Sequence, residues 1–317
     1  MKLLSWLLCA VFAVPFSARA QECSGPMRIV LGQAAGGGAD TVARLLAQRF
    51  NAKYGQTVIV ENKSGAGGNI AAAFVARAPK DGCTLLLRGS DHHVNTMIYT
   101  RPGYELKEFV PVARVVYGPL VIVSHPQQPF KSLSAVVDHA KANPGKLSYA
   151  ATAAGSGVHV PMELFLRVAG IQIVHVPYKG AALSLADVAA GVVPIGIGSV
   201  SAAQALVQAG KLVPLAVLAR SRWPSLPDVQ TMAEAGFVEA NTPSWLGLFA
   251  PAGISVAIQE KLNREFSALL DDASARAQLL GQGWEAAPGT VADFARFAQD
   301  DERANRKLID ALQLKVE

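Results

Sequence analysis

The residues best placed for chemistry lie in two glycine-rich turns. The first reads Gly32-Gln33-Ala34-Ala35-Gly36-Gly37-Gly38-Ala39-Asp40-Thr41, behind the apolar residues 27–31 and ahead of a helical pattern over 42–50. The second reads Ala150-Ala151-Thr152-Ala153-Ala154-Gly155-Ser156-Gly157-Val158-His159 and also joins a strand pattern to a helix pattern. A strand, a glycine loop and a helix start aim backbone N–H groups and the positive end of a helix at one point, which suits an anion. Facing each other across a cleft, the two turns would offer N–H donors to one carboxylate.

Other chemistries fit these residues less well. The first turn is not a dinucleotide fingerprint, because Thr41 stands where G-x-G-x-x-G needs its third glycine. No Gly-Lys-Ser/Thr follows to make a phosphate loop. The second turn is not a nucleophile elbow, since Ala154 and Val158 occupy the glycine positions of G-x-S-x-G. Asp91-His92-His93 invites a metal, but adjacent histidines cannot both face one point, and no H-x-x-x-H spacing supports them. No metal and no cofactor are expected. His92 or Asp91 is expected instead to line a pocket at the end of the third strand, where open α/β sheets bind ligands. In Val176-Pro177-Tyr178-Lys179-Gly180, Tyr178 could cover the cleft and Lys179 could balance an anion, or the segment could be a surface turn that starts a helix.

The elements that must position these turns alternate. Strands are expected at 28–31, 57–61, 84–87, 111–116, 120–124, 147–151, 172–176, 192–197, 212–218 and 246–250. Helices are expected at 40–54, 69–77, 132–143, 159–169, 181–190, 201–209, 231–235, 256–271 and 291–314. Such alternation predicts α/β domains with parallel sheets. The uncharged stretch 188–210 is punctuated by Gly191, Pro194, Gly196 and Gly198, so it reads as a buried strand and a helix rather than a membrane span. Domain crossings are expected near 117–119 and 219–227, where Gly118-Pro119, Pro224 and Pro227 supply turn chemistry. The first domain then covers 21–118 and is completed by 221–317, with the second domain at 119–220.

The amino terminus has the form of an export signal. Lys2 is followed by the apolar residues 3–14 and by Ala18-Arg19-Ala20, which predicts cleavage before Gln21 and a periplasmic product. Removing residues 1–20 takes Lys2 and Arg19, so the net charge falls from +5 to +3. That charge is too small and too dispersed for nucleic acid. Two cysteines remain, Cys23 before the first strand and Cys83 before the third. In a sheet of order 2-1-3 those strand starts are neighbours, which predicts a Cys23–Cys83 disulfide over two buried thiols.

Beyond these turns, a longer pattern runs in order along nearly the whole mature chain. It includes Gly36-Gly37-Gly38-Ala39-Asp40 with Ala43-Arg44, Val60-Glu61-Asn62-Lys63-Ser64-Gly65-Ala66-Gly67-Gly68-Asn69, and Ala78-Pro79-Lys80-Asp81-Gly82. It continues through Ala142-Asn143-Pro144-Gly145-Lys146-Leu147, His175-Val176-Pro177-Tyr178-Lys179-Gly180, Leu226-Pro227-Asp228-Val229 and Leu248-Phe249-Ala250-Pro251-Ala252-Gly253. This pattern resembles the tripartite tricarboxylate transporter receptor family, also called Bug proteins. The resemblance implies a type II periplasmic-binding-protein fold: two doubly wound α/β domains, a cleft and two crossover strands. It also implies a small carboxylate ligand and a membrane permease as partner. No nucleophile–base pair of motif quality supports an enzyme, and a monomer is the default for a receptor that docks on a permease.

Carried onto this chain, the resemblance puts ligand contacts at Gln33, Ala34, Ala35, Gly36, Gly37, Gly38, Ala39 and Asp40. A third-strand loop contributes Gly89, Ser90, Asp91 and His92. The second domain contributes Thr152, Ala154, Gly155, Ser156, Gly157, Val158 and His159, with Tyr178 and Ser199 beside them. The chain departs from the family at Gln33-Ala34-Ala35, where proline or phenylalanine is usual, and at Gly157-Val158, where serine or threonine is usual. It also has Gly198-Ser199 where many members carry an acid or amide, which argues against an amino-acid ligand. Arg88 and Asp91 could sharpen specificity or pair with each other. A receptor that reports to a sensor kinase, an exported hydrolase, and a protein that has lost its ligand are the alternatives.

Overall fold

Strand β1 (Met27–Leu31) is buried on both faces apart from Arg28, as expected of a strand in the middle of a sheet. It pairs in parallel with β2 (Val58–Asn62) and β3 (Thr84–Arg88), giving the 2-1-3 order. The computed structural model describes residue 23, residues 25–219, 221–242, 244–312 and residue 315. The export leader expected over 1–20 lies outside the described residues. The starts of β1 and β3 lie side by side, and Cys23 and Cys83 are joined there by a disulfide with Cα atoms 5.0 Å apart.

Two sheets result. The first has the order β11-β4-β10-β3-β1-β2 and includes β4 (Phe109–Gly118), β10 (Ser244–Pro251) and the short β11 (Glu285–Ala286). The second has the order β7-β6-β8-β5-β9, from β5 (Leu120–Ser124), β6 (Ser148–Thr152), β7 (Val174–Tyr178), β8 (Ile195–Ser199) and β9 (Val213–Leu218). The sheets are mixed, not wholly parallel. β10 runs antiparallel to β3 and β4, and β5 runs antiparallel to β8 and β9. The physical reason is connectivity: chain that enters a sheet from the other domain arrives from the opposite end and needs no crossover helix.

Each sheet has helices on both faces. In the first domain, α1 (Gly38–Tyr54) buries Val42, Leu45, Leu46 and Phe50 on one stripe and ends at Gly55. It packs with α8 (Val256–Leu270), where Phe50 meets Phe266 with ring centroids 4.9 Å apart. The other face carries α2 (Asn69–Ala76) and α10 (Val291–Leu312), with Phe294 against Trp245 and Phe249. The second domain carries α4 (Leu133–Ala142) and α5 (His159–Ala169) on one face, and α6 (Ala181–Ala189) and α7 (Val200–Gln208) on the other. Among the described residues no helix is long and apolar enough to cross a membrane.

Four expectations change. Residues 91–98 form a helix, α3 (Asp91–Ile98), rather than a loop, although Asp, His, Asn and Thr are weak helix formers. A further helix, α9 (Ala273–Gly281), starts at an Asp272 cap. Residues 231–235 are a turn instead of a helix. Thr231 and Glu234 hydrogen-bond reciprocally like a helix start, but Gly236 at φ 89 stops the chain one turn later. The chain also returns to the first sheet later than expected. Trp223 and Leu226 pack on one face of the second sheet and Met232 and Ala240 on the other, and pairing with the first sheet resumes at Ser244. The outward crossing is a single residue, Pro119, between β4 and β5.

Candidate functional site

Loop 32–37 links β1 to α1, and its conformation is held from within. Gly36 adopts φ 82, and its N–H donates to Asp40 Oδ2 at 2.9 Å. Asp40 is buried and also accepts from Arg44 Nε at 2.8 Å and Asn62 Nδ2 at 3.1 Å. Burial alone would raise the Asp40 pKa, but the hydrogen bonds from Arg44, Gly36 and Asn62 outweigh it and hold the carboxyl below its usual range. Asp40 is therefore a saturated acceptor that shapes the loop, not a free group facing a ligand. The chain around it is open: Gln33, Ala34, Ala35 and Gly36 are exposed, and Gly37 and Gly38 half-buried. No side chain caps α1, so the N–H groups of Gly38, Ala39 and Asp40 at its first turn lack side-chain acceptors.

The second domain repeats the device with a different residue. Gly155 adopts φ 75, and its N–H donates to His159 Nδ1 at 3.2 Å, again four residues ahead. Because Nδ1 accepts, the ring is neutral with its proton on Nε2, which faces Glu163 Oε1 at 3.6 Å. Thr152 Oγ1 and Ser156 Oγ lie 2.7 Å apart, and Ser156 Oγ accepts the His159 N–H at 3.1 Å. Val158 stands at the α5 N-cap without a side-chain cap bond. Ala154 lies between these anchors, half-buried. The glycine-rich starts of α1 and α5 thus share one construction, each shaped by an acceptor on its own helix.

Burial and the neighbouring His175 push His159 down to about 3. A histidine with a depressed pKa stays unprotonated in the fold while the unfolded chain gains a proton below about 6.5. Its contribution is therefore complete above pH 6.5 and is lost as the pH falls toward 3. Between pH 7 and pH 5 the loss should be on the order of 2 kcal/mol. Denaturant midpoints measured across that range check it: His159→Gln should flatten the dependence, and an unchanged slope would refute this origin.

The third-strand loop is short. Gly89 and Ser90 lead from β3 into α3, with Asp91 Oδ2 accepting from Arg88 Nε at 2.9 Å and Asp91 Oδ1 from Gly89 N at 3.1 Å. Arg88 and Asp91 pair with each other. Arg88 also donates to Gly67 O at 2.9 Å and Asn69 Oδ1 at 3.2 Å, so it ties the loop after β2 to the loop after β3. His92 does not line a pocket. It is buried in the first domain, stacked on Tyr104 at 5.5 Å and edge-on to Phe109 at 4.7 Å, and burial holds it well below the usual histidine range. The reason is the unforeseen helix: once α3 begins, residues one and two positions beyond Ser90 turn about its axis, and His92 comes round to the core.

Tyr178 does not reach over the cleft either. Its hydroxyl donates to Asp187 Oδ2 at 2.7 Å on α6, a bond that pushes the phenol up to about 12. Ser199 caps α7 by accepting from Ala202 N at 3.3 Å. Trp245 is buried in the core as expected, donating to Asp301 Oδ2 at 3.1 Å.

The two domains meet on both sides of these loops. On one side a Cβ at Gly157 would lie 3.5 Å from Ser90 Oγ and 4.0 Å from Ser244 Oγ. Next to it, a Cβ at Gly155 would lie 1.9 Å from Ile98 Cδ1 on α3. On the other side a Cβ at Gly38 would lie 3.5 Å from Ser201 Oγ, at the start of α7. A small apolar cluster of Val94, Ile98, Val160 and Ile309 joins α3, α5 and α10 across the boundary. Beside it a cavity of about 500 Å³ runs from Ser90, Gly157 and Ser244 out between α5 and α10. A shallower hollow of about 620 Å³ at Tyr54, Gly55 and Ile59 lies by the opposite strand ends, remote from every loop described here. Ser90, Gly155, Gly157 and Gly38 are thus brought to the domain boundary. Ser201, Ser244, Asn95 and Trp284 also stand there, and no motif marks them in the sequence.

Comparison with known proteins places the chain in a family and supports its two-domain fold. Residues 42–314 match the family model described as tripartite tricarboxylate transporter family receptor. Protein BugT of Bordetella pertussis is 34% identical over 281 residues, covering 88% of this chain and 86% of that protein. The structure of Rpa4515 from R. palustris with adipate superimposes with a TM-score of 0.87 at 33% identity, covering 92% of this chain and 98% of that one. MatC from Rhodopseudomonas palustris with bound malate gives 0.84 at 28% identity, covering 90% and 99%.

Proposed function

Because this chain belongs to the tripartite tricarboxylate transporter receptor family, we propose that it is a periplasmic receptor that captures a small carboxylate between the glycine-rich starts of α1 and α5. It delivers that ligand to the family's membrane permease and carries out no reaction on it. One observation carries the reading. Each domain presents a helix start set behind a glycine loop whose shape is held by its own Asp40 or His159, and at α1 no side chain takes the first-turn N–H groups. The start of α1 offers N–H donors, and both helix starts present a positive field to an anion.

Adipate and malate, the acids seen with the two structural relatives, share only a pair of carboxylates on a short chain. A site of backbone donors and ordered water suits that class, because water-bridged contacts are nearly as favourable as direct ones. Hinge closure across Pro119 and the return near Ser244 buries the bound acid, and the closed form is what the permease reads.

Thermal denaturation of the refolded mature protein with malate, adipate, citrate and neutral sugars tests this reading. An acid present at a hundred times its Kd adds about 2.7 kcal/mol. The midpoint should then rise by about 5 °C. Silence from every acid, or an equal rise with a neutral sugar, would overturn it.

A further inference from the structure

Trp284 is the largest side chain at the domain boundary, and its polar atom is unused. It is 4% exposed, yet its indole Nε1 has no hydrogen-bond partner among the described residues. Gln282, two residues back, does not accept from it, since Gln282 Oε1 is unpartnered as well. Buried indole N–H groups ordinarily find an acceptor, so a group left out this way marks a place where something else belongs.

The ring is held firmly. Its Cζ3 would lie 2.2 Å from a Cβ at Gly118, so only glycine at the end of β4 leaves room for it. Its opposite edge faces the start of α1: a Cβ at Gly38 would lie 2.9 Å from Cζ2 and 3.6 Å from Cε2. In an indole the N–H and the Cζ2–H lie on the same edge. Nε1 is bonded to Cε2, so the donor lies on the ring edge nearest the helix start, and Ser201 Oγ is 3.5 Å from the same Gly38 point. Three features converge there: the first-turn N–H groups of α1, a buried unpaired donor, and a hydroxyl from the second domain.

We propose that Trp284 is a ligand-contacting residue whose indole N–H donates to the carboxylate held at the start of α1. The proposal rests on the carboxylate reading above and adds a residue to it. An indole N–H can only donate, so it favours an acceptor-only group and gives nothing to an ammonium. Because the ring is wedged between Gly118 and Gly38, the donor arrives pre-oriented.

Calorimetric titration of malate and adipate into the wild type and Trp284→Phe separates the possibilities. Phenylalanine keeps an aromatic ring between Gly118 and Gly38 and removes the N–H. The Kd of the better acid should weaken roughly tenfold or more, as expected for a hydrogen bond to a charged group. Equal affinities would overturn the role of Trp284 while leaving the receptor reading intact; no binding by the wild type would overturn both. A second measurement does not depend on that variant folding. In ¹⁵N-tryptophan-labelled mature wild type, with the indole signals assigned through Trp223→Phe and Trp245→Phe, the Trp284 indole proton should move downfield when the acid is added. A signal that stays in place overturns the proposal.

Discussion

Alanine at position 155 is expected to weaken carboxylate capture about a hundredfold while costing the unliganded protein little. Gly155 sits at φ 75, where a Cβ costs roughly 1 kcal/mol wherever the domains stand. The larger effect arises only where the two domains meet. The new methyl would lie 1.9 Å from Ile98 Cδ1 and 3.3 Å from Asn95 Oδ1, and both belong to α3 of the other domain. A clash inside one domain must be absorbed by its core, but a clash between domains is relieved by opening. Overpacking of this kind costs about 1–3 kcal/mol. It falls on the closed state, so at its upper end the apparent Kd rises about a hundredfold with the loss of binding-competent population. Calorimetry should show the weaker binding, and small-angle scattering should show a larger radius of gyration for the unliganded variant. Ile98→Ala in the same chain removes the colliding methyl and should recover most of the affinity. Wild-type affinity in Gly155→Ala would show that closure does not pass through this contact.

Removing the Cys23–Cys83 disulfide should give the largest loss of stability. The bond closes a loop with a sequence separation of 60 and clasps the starts of β1 and β3. Restricting the unfolded chain over that span stabilises the fold by about 4 kcal/mol on the loop-entropy account. For a chain of this size the melting midpoint should drop by about 6–8 °C. Calorimetry of Cys23→Ser/Cys83→Ser, and of the wild type with reductant, should show the same fall. A midpoint that reduction does not move would mean that hydrogen bonds such as Arg28 N to Cys83 O at 2.7 Å already hold those ends together. The dependence would also tie the protein's lifetime to an oxidising compartment.

The loops at the strand ends are visible in the sequence because glycine runs between an apolar strand and an amphipathic helix have few other uses. The same logic makes the disulfide readable: sheet order alone places two strand starts side by side, and two cysteines precede them. Side-chain direction is another matter. Asp40 and His159 stand in the expected loops, yet both are turned back on Gly36 and Gly155, and their acceptor capacity is already used there. His92 and Tyr178 lie next to the loops in sequence, but one enters the core and the other pairs with Asp187.

By itself the sequence determined the family, the two α/β domains, the disulfide, and the strand-to-helix placement of the two glycine loops. These depend on periodicity, on turn chemistry and on residues near one another in the chain. Only the tertiary structure decided that α3 forms from poor helix formers, since its burial against α10 and Tyr104 outweighs weak propensity. It decided that the chain stays with the second sheet until Ser244, because Trp223, Leu226, Met232 and Ala240 find their apolar surface there. And it decided that Trp284, Ser201 and Ile98 share the boundary with Gly38 and Gly155. Those contacts join residues far apart in the chain, so they follow from the packing of whole elements, and no local pattern encodes them.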